Sequence, residues 1–154
     1  MQRPQWIVVG TDFSEAASRA LDQAVAIAAT IGASIACVHA YEDTPDAHFL
    51  DEGVSAFVER VERMIAGSRA HHRGVHVEPL VRRGPAWEKL VNLACDLGAT
   101  LIVVGSNGAG QASHSPFLGK VASRVATTST RMVLIVPRRM DAPSAFEDLG
   151  ATNA

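Results

Sequence analysis

Residues 100–137 constrain the fold of this chain more than any other part of its sequence. An apolar run at 101–104 breaks at once into a glycine-rich loop, and a second apolar run at 133–136 follows a helix that opens at Gly119. Glycines at the carboxyl end of a buried strand let backbone N–H groups approach an anion closely. In open parallel sheets, ligands bind at that end. The segment therefore predicts a site for a small ligand that carries phosphate.

Length, charge and hydropathy narrow the class of protein. The chain of 154 residues suits one domain, which we place at 1–140, followed by a tail at 141–154 that we expect to be mobile. A formal net charge of −2 gives no sign of a nucleic-acid partner. The chain shows no signal-peptide pattern and no apolar run as long as a membrane span. We therefore expect a soluble, cytoplasmic protein without a membrane partner.

Cysteine and histidine positions give little support for a metal or redox site. Cys37 and Cys95 both lie inside apolar segments, so we expect two buried free thiols rather than a disulfide or a redox pair. None of the six histidines pairs with another at i, i+4 within one predicted helix, so we expect no metal site. His39 lies in a strand beside the predicted crevice, as a hydrogen-bonded core residue or, alternatively, as a ligand contact.

Apolar periodicity divides the chain into alternating strands and helices. Short apolar runs predict strands at 6–10, 34–41, 75–81, 101–104 and 133–136. Helical spacing predicts helices at about 15–32, 48–72, 85–98 and 119–128. Ser14 is a good N-cap for the first helix, and Gly98 a natural C-cap for the third. This order predicts an α/β fold with right-handed crossovers, a parallel sheet and helices on both faces.

Three stretches of the chain together resemble the universal stress protein family. The first is IVVGTDFS at 7–14; the second runs from GPAWEKL at 84–90 to LIVVGSNG at 101–108; the third runs from LGKVASRV at 118–125 to VLIVP at 133–137. Each is weak alone, but all three in this order and at these distances are specific. The resemblance covers residues from about 5 to 137.

The resemblance implies a three-layer fold and a dimer. The family sheet has five parallel strands in the order 3-2-1-4-5, as in adenine nucleotide alpha hydrolases, between two layers of helices. In many members the last strand pairs across a two-fold axis, so Val133 to Val136 would form the edge of a homodimer. The family also implies a role in stress response, with an unidentified protein partner.

Family members that bind ATP resemble one another in a G-x2-G-x9-G-[S/T] sequence after the fourth strand. Gly105 and Gly108 keep the first spacing here. Ten residues rather than nine then precede Gly119, and Lys120 stands where the binders have a hydroxyl residue. The site is therefore present in outline and altered in two places.

By resemblance, ATP with its own Mg²⁺ or Mn²⁺ would bind at the carboxyl end of the sheet. The carboxylate of Asp12 would lie near the base or ribose; alternatively, Asp12 only starts a helix. The glycine loop would hold phosphate; alternatively, it is a tight turn that needs a positive φ. N–H groups of the helix that begins at Gly119 would face the terminal phosphates. The expected ligand contacts are Thr11, Asp12, the backbone of Ala40, Gly105, Asn107, Gly108, Gly110, Gly119, Lys120 and Val121.

The sequence allows two roles for Lys120, and they predict different affinities for a nucleotide. Its ammonium either replaces the missing hydroxyl contact or points to solvent and leaves the site weak or empty. Arg124, one turn later, either adds positive charge or solvates the helix surface. Three hypotheses follow: a module switched by ATP, an interaction protein with a lapsed site, and a weak ATP hydrolase. The sequence offers no evident catalytic residue, since it contains no nucleophile elbow or clear carboxylate pair.

Overall fold

The computed structural model describes residues 3–42, 50–108 and 117–138, although not the side chains of 50–52 and 72. Gly110 of the predicted phosphate loop lies outside these residues, as do the rest of 109–116 and the tail at 141–154.

Five parallel strands form one sheet in the order β3-β2-β1-β4-β5, which confirms the predicted topology. The central pair, β1 and β4, carries apolar residues at successive positions because helices cover both faces. Val8 of β1 lies beside Ile102 of β4, and both are buried. The strands are β1 Trp6–Gly10, β2 Ser34–Tyr41, β3 Val77–Arg83, β4 Leu101–Gly105 and β5 Met132–Val136.

Two pairs of helices cover the two faces of the sheet. The helices are α1 Glu15–Ile31, α2 Leu50–Gly67, α3 Ala86–Leu97 and α4 Lys120–Thr128. Leu21 of α1 and Val61 of α2 belong to one buried apolar cluster. Leu90 of α3 and Val125 of α4 belong to another, on the opposite face. The structure thus has the three layers that the sequence predicts.

The second helix is shorter than its apolar pattern predicts. It ends at Gly67 rather than near residue 72, because Ser68 turns back and donates its hydroxyl to the carbonyl of Ile65 at 2.6 Å. The chain then makes a separate 3₁₀ turn, His71–Arg73, which closes at Gly74 with φ +65°. The predicted end of this helix near residue 72 is therefore wrong.

The two cysteines have different environments. Cys37 is buried in β2, and burial raises the pKa of its thiol to about 12. Cys95 is also free but lies on the exposed side of α3, with its Sγ 3.7 Å from Oγ1 of Thr130. The prediction of a buried thiol is therefore wrong for Cys95, because α3 turns this position away from the sheet.

The helices of the described part of the chain are too short or too polar to cross a bilayer.

Candidate functional site

A cavity of about 480 Å³ opens at the carboxyl end of the sheet. It lies between the ends of β1 and β4 and the starts of α3 and α4, and its size is that of a small-molecule site. Every predicted contact residue that the structure describes lines this cavity: Thr11, Asp12, Ala40, Gly105, Asn107, Gly108, Gly119, Lys120 and Val121. We call it the sheet-end cavity.

The turn from β1 to α1 is held by its own side chains. Oδ1 of Asp12 accepts a hydrogen bond from the N–H of Ser14 at 3.0 Å. Oγ of Ser14 accepts in turn from the N–H of Ala17 at 3.2 Å and so caps α1. Asp12 therefore holds the turn that leads into α1 and also lines the cavity; its contact with a ligand stays a prediction.

Thr11 forms part of the cavity wall, but its polar groups are bonded to other residues of the protein. Its hydroxyl donates to Sδ of Met64 at 3.1 Å and accepts from the N–H of Phe13 at 3.0 Å. Its N–H donates to the carbonyl of Val38, and its own carbonyl lies 2.9 Å from Nδ1 of His39. The polar groups of Thr11 are thus already engaged within the protein.

His39 is a packed residue behind this turn and does not line the sheet-end cavity. Its ring centroid lies 4.5 Å from that of Phe13 and 4.6 Å from that of Phe57. Because the carbonyl of Thr11 can only accept, Nδ1 carries the hydrogen. Burial lowers the pKa of His39, although its hydrogen bond to Thr11 acts in the opposite direction. The prediction of a hydrogen-bonded histidine is confirmed, although His39 is half-buried rather than part of the core.

The glycines after β4 serve close packing. A Cβ on Gly105 would lie 2.8 Å from Cβ and 2.9 Å from the carbonyl carbon of Ala16, at the start of α1. A Cβ on Gly108 would lie 2.9 Å from Oδ2 of Asp12. Neither glycine has a positive φ, so the alternative of a positive-φ turn is wrong for both. Gly105 brings β4 against α1, and Gly108 brings the loop against the carboxylate.

The start of α4 presents backbone donors to the cavity. The N–H of Gly119 donates to the carbonyl of Ser106 at 2.8 Å, so it is engaged within the protein. The prediction that this N–H faces a phosphate is therefore wrong. Gly119 is also the N-cap, and it has no side chain with which to cap the helix. The N–H groups of Lys120, Val121 and Ala122 have no partner within the helix, and these three residues line the cavity.

Charge is distributed unevenly around the sheet-end cavity. Among its described lining residues, Asp12 and Lys120 are the charged ones, and they stand on the β1 and α4 sides. Arg124 is not among them, since its guanidinium carbon lies 5.2 Å from the ring centroid of Trp87. Arg124 therefore packs on α3 and does not add its charge to the cavity wall.

A family model described as the universal stress protein family matches residues 5–137. The chain belongs to the universal stress protein family. A relative from Thermus aquaticus, the universal stress protein in the QAH/OAS sulfhydrylase 3′ region, is 34% identical over 133 residues, with 84% of this chain and 96% of the relative covered. Universal stress protein YxiE from Bacillus subtilis (strain 168) is 29% identical over 145 residues, with 84% and 97% covered.

Solved structures of universal stress proteins share the fold. One, in complex with cAMP, is 31% identical with a TM-score of 0.69, covering 90% of this chain and 100% of that protein. Another, from Archaeoglobus fulgidus in complex with dAMP, is 22% identical with a TM-score of 0.66, covering 88% of this chain and 99% of that protein.

Sequence reasoning missed the apolar wall of this universal stress protein cavity. Val38, Ala86 and Leu90 line it together with Gly10. A Cβ on Gly10 would lie 2.7 Å from Cδ1 of Leu90, so the glycine leaves room for that side chain. The available signal was the start of α3, because a helix that follows β3 must begin at the same end of a parallel sheet.

The described residues contain no group of three or more His, Cys, Asp or Glu side chains placed to hold a metal ion. The residues that line the sheet-end cavity thus provide one carboxylate, one ammonium, the hydroxyl and amide side chains of Ser106 and Asn107, backbone donors and an apolar wall.

Proposed function

We propose that the sheet-end cavity binds an adenine nucleotide, and that its occupancy changes the surface offered to a protein partner in the stress response. The observation that carries this proposal is the start of α4, where Lys120, Val121 and Ala122 line the cavity and their three N–H groups have no helical partner. Such a helix end attracts an anion through its donors and its dipole. The related protein in complex with cAMP supports an adenine nucleotide as the ligand class.

Different parts of the cavity wall suit different parts of a nucleotide. The carboxylate of Asp12 can accept from ribose hydroxyls on the β1 side of the cavity. Val38, Ala40 and Leu90 offer apolar and backbone surface to the base. Lys120 and the start of α4 would hold phosphate. ATP, accompanied by Mg²⁺ or Mn²⁺, is the ligand that we expect, and these ions would come with the nucleotide.

One observation favours a second candidate function. The N–H of Gly119 is already bonded to the carbonyl of Ser106, so the cavity has one backbone donor fewer than the sequence predicts. A phosphate group held by fewer donors binds less tightly. The second candidate is therefore an interaction protein of the same fold that binds no nucleotide.

Calorimetric titration with ATP, ADP and AMP, each with and without Mg²⁺, separates the two candidates. We expect saturable binding of at least one nucleotide. Lys120→Gln should weaken it roughly tenfold, because a charge-assisted contact to phosphate contributes about 1.5–3 kcal/mol. The matched control is Arg131→Gln, which removes an exposed positive charge just before β5, at the opposite end of the sheet.

Two results would contradict the nucleotide proposal. One is the absence of heat with every nucleotide in all conditions, which would favour the interaction protein. The other is an equal loss of affinity in Lys120→Gln and Arg131→Gln, which would mean that long-range charge, rather than the cavity, attracts the nucleotide.

We also propose that β5 pairs with the β5 strand of a second copy to form a homodimer. β5 lies at the edge of the described sheet, and Met132 at its start is 64% exposed. An unprotected apolar edge strand invites pairing with another chain. Sedimentation equilibrium over a range of concentrations should give twice the chain mass of 16.3 kDa. A single-chain mass at every concentration would disprove this arrangement.

A further inference from the structure

A second cavity, of about 350 Å³, lies between α1 and α2 on the opposite face of the sheet from α3 and α4. We call it the interhelical cavity. Ser18 and Leu21 line it from α1, while Arg60, Arg63 and Met64 line it from α2. Its volume falls at the lower end of the range for small-molecule sites. The nucleotide proposal does not use these residues.

The guanidinium of Arg60 is held at this cavity by an aromatic ring. Its central carbon lies 4.0 Å from the ring centroid of Phe13, which also lines the cavity. Stacking on a ring leaves the edge of a guanidinium, where its N–H groups point, open to an acceptor. Arg60, although exposed, therefore presents a fork of donors at the edge of this cavity.

Arg63 stands three residues later on the same face of α2. The ion pairs within the described part of the chain are Arg19–Glu15 and His76–Glu78, so neither arginine of the cavity has a carboxylate partner there. Two guanidinium groups that share a face of one helix repel each other mildly unless an anion lies between them. The pair is thus left without an ion-pair partner in the described part of the chain, although one carboxylate also lines the cavity.

The other walls restrict the kind of anion. Asp22 also lines the cavity, which leaves a net charge of about +1 from two arginines and one carboxylate and disfavours a polyanion. The ring of Phe13 and the side chains of Leu21 and Met64 add apolar surface. We propose that the interhelical cavity binds a small organic anion, a carboxylate or phosphate monoester on a flat apolar body, through Arg60 and Arg63.

The position of Phe13 connects the two cavities. Phe13 lines the interhelical cavity, while its neighbours Asp12 and Ser14 line the sheet-end cavity. Its φ of +65° is an unusual backbone conformation for a residue with a side chain, so the turn is sensitive to shifts of the ring. An anion that moves Arg60 and Phe13 therefore changes nucleotide affinity, and the nucleotide changes anion affinity by the same factor. This coupling, unlike the anion site itself, rests on the proposed nucleotide function.

The test is an NMR titration of the ¹⁵N-labelled full chain with benzoate and with phenyl phosphate, with benzamide as the neutral analogue. We expect either anion to shift the Nε–Hε signals of Arg60 and Arg63 and the amide signals of Phe13 and Ser18 in a saturable way. Arg60→Gln and Arg63→Gln should each weaken binding by about tenfold or more, as expected for a lost charge-assisted hydrogen bond. Arg69→Gln, which removes an exposed arginine outside this cavity, should not.

Three outcomes would overturn the anion site. They are equal shifts with benzamide, unchanged binding in both cavity variants, and no shifts with either anion in millimolar excess. Arg63→Gln leaves the Phe13 contact intact, so it remains informative if Arg60→Gln disturbs the turn. In a separate titration with ATP present, an unchanged benzoate affinity would overturn the coupling but not the site.

Discussion

Of the helices that begin at the sheet-end cavity, α1 and α4 satisfy the backbone groups of their first turns in different ways. Ser14 caps α1 with its hydroxyl, and Glu15 at the first helical position suits the positive end of the helix dipole. At α4, Gly119 stands at the cap position without a side chain, and Lys120 occupies the first helical position. A cation at this position opposes the dipole. The start of α1 is thus capped within the protein, whereas the start of α4 would gain from an external anion.

The ends of β1 and β4, which lead to these helices, also differ in how far side chains hold them in place. After β1, Thr11 and Asp12 use their side chains to hold the turn. At the end of β4, Gly105 has no side chain and fits against α1, and Gly108 in the following loop fits against Asp12. The β1 turn therefore acts as a fixed wall, and the β4 side depends on that wall for its position.

The largest effect should come from the contact between the two sides. In Gly105→Ala the new Cβ would lie 2.8 Å from Cβ of Ala16 and close to its backbone, which cannot move without shifting α1. We expect a loss of about 1–3 kcal/mol in the free energy of unfolding, as for other overpacked cores. Urea denaturation measures this loss.

Gly53→Ala is the control for this prediction. Gly53 lies in α2, and a Cβ there would meet no atom within 4 Å. Alanine in a helix interior should stabilise the protein by about 0.5–1 kcal/mol. If Gly105→Ala is as stable as the unchanged protein, β4 is not held against α1, and the proposed dependence of one side on the other is wrong.

The next effect concerns the cap of α1. Ser14→Ala removes the acceptor for the N–H of Ala17 and should cost about 1 kcal/mol of stability. Ser123→Ala, at an exposed position within α4, should change stability by less than about 0.5 kcal/mol. Thermal unfolding without ligand compares the two variants. Equal melting temperatures would mean that the cap of α1 does not contribute, and that the contrast with α4 is unfounded.

Local signals predicted most of the fold. Apolar runs located every strand, while Ser14 and Gly98 marked helix ends where the structure has them. The strand order came from the resemblance to the family. Where local signals failed, a competing contact decided the result: the hydroxyl of Ser68 ends α2 early by bonding to Ile65, although the apolar pattern continues.

The site could be predicted in position but not in detail. Parallel strands bring their carboxyl ends together, and this placed Asp12 and Lys120 at one cavity. The role of Gly105 depends on Ala16, which is distant in sequence, and no local pattern shows such a contact. For the same reason, the sequence did not show that the N–H of Gly119 is bonded to Ser106.

A smaller effect should appear at the start of α4. Lys120→Glu replaces an unfavourable charge at the positive end of the helix dipole with a favourable one. We expect it to stabilise the ligand-free protein by about 0.3–1 kcal/mol and to weaken nucleotide binding at the same time. Denaturation without ligand and calorimetry with ATP measure the two effects separately. Lower stability without ligand would contradict the view that Lys120 is present for an anion.

The smallest effect should be the pH dependence of the β1 turn. Burial lowers the pKa of His39 below its ordinary value of 6.5, so the unfolded chain takes up this proton more readily than the folded protein. The stability that His39 contributes is therefore complete above about pH 6.5 and is lost as pH falls through its folded pKa. Urea denaturation at a series of pH values measures this loss.

Other groups titrate in the same range, so the comparison must be with His39→Gln, which removes the titration and keeps a donor for the carbonyl of Thr11. The stability of this variant should fall less steeply below pH 6.5 than that of the unchanged protein. His76→Gln, at an exposed position that pairs with Glu78, serves as the control. Parallel curves of stability against pH for His39→Gln and the unchanged protein would show that protonation of His39 does not destabilise the β1 turn. The packing of the His39 ring against Phe13 and Phe57 would then not make the stability of the turn sensitive to pH.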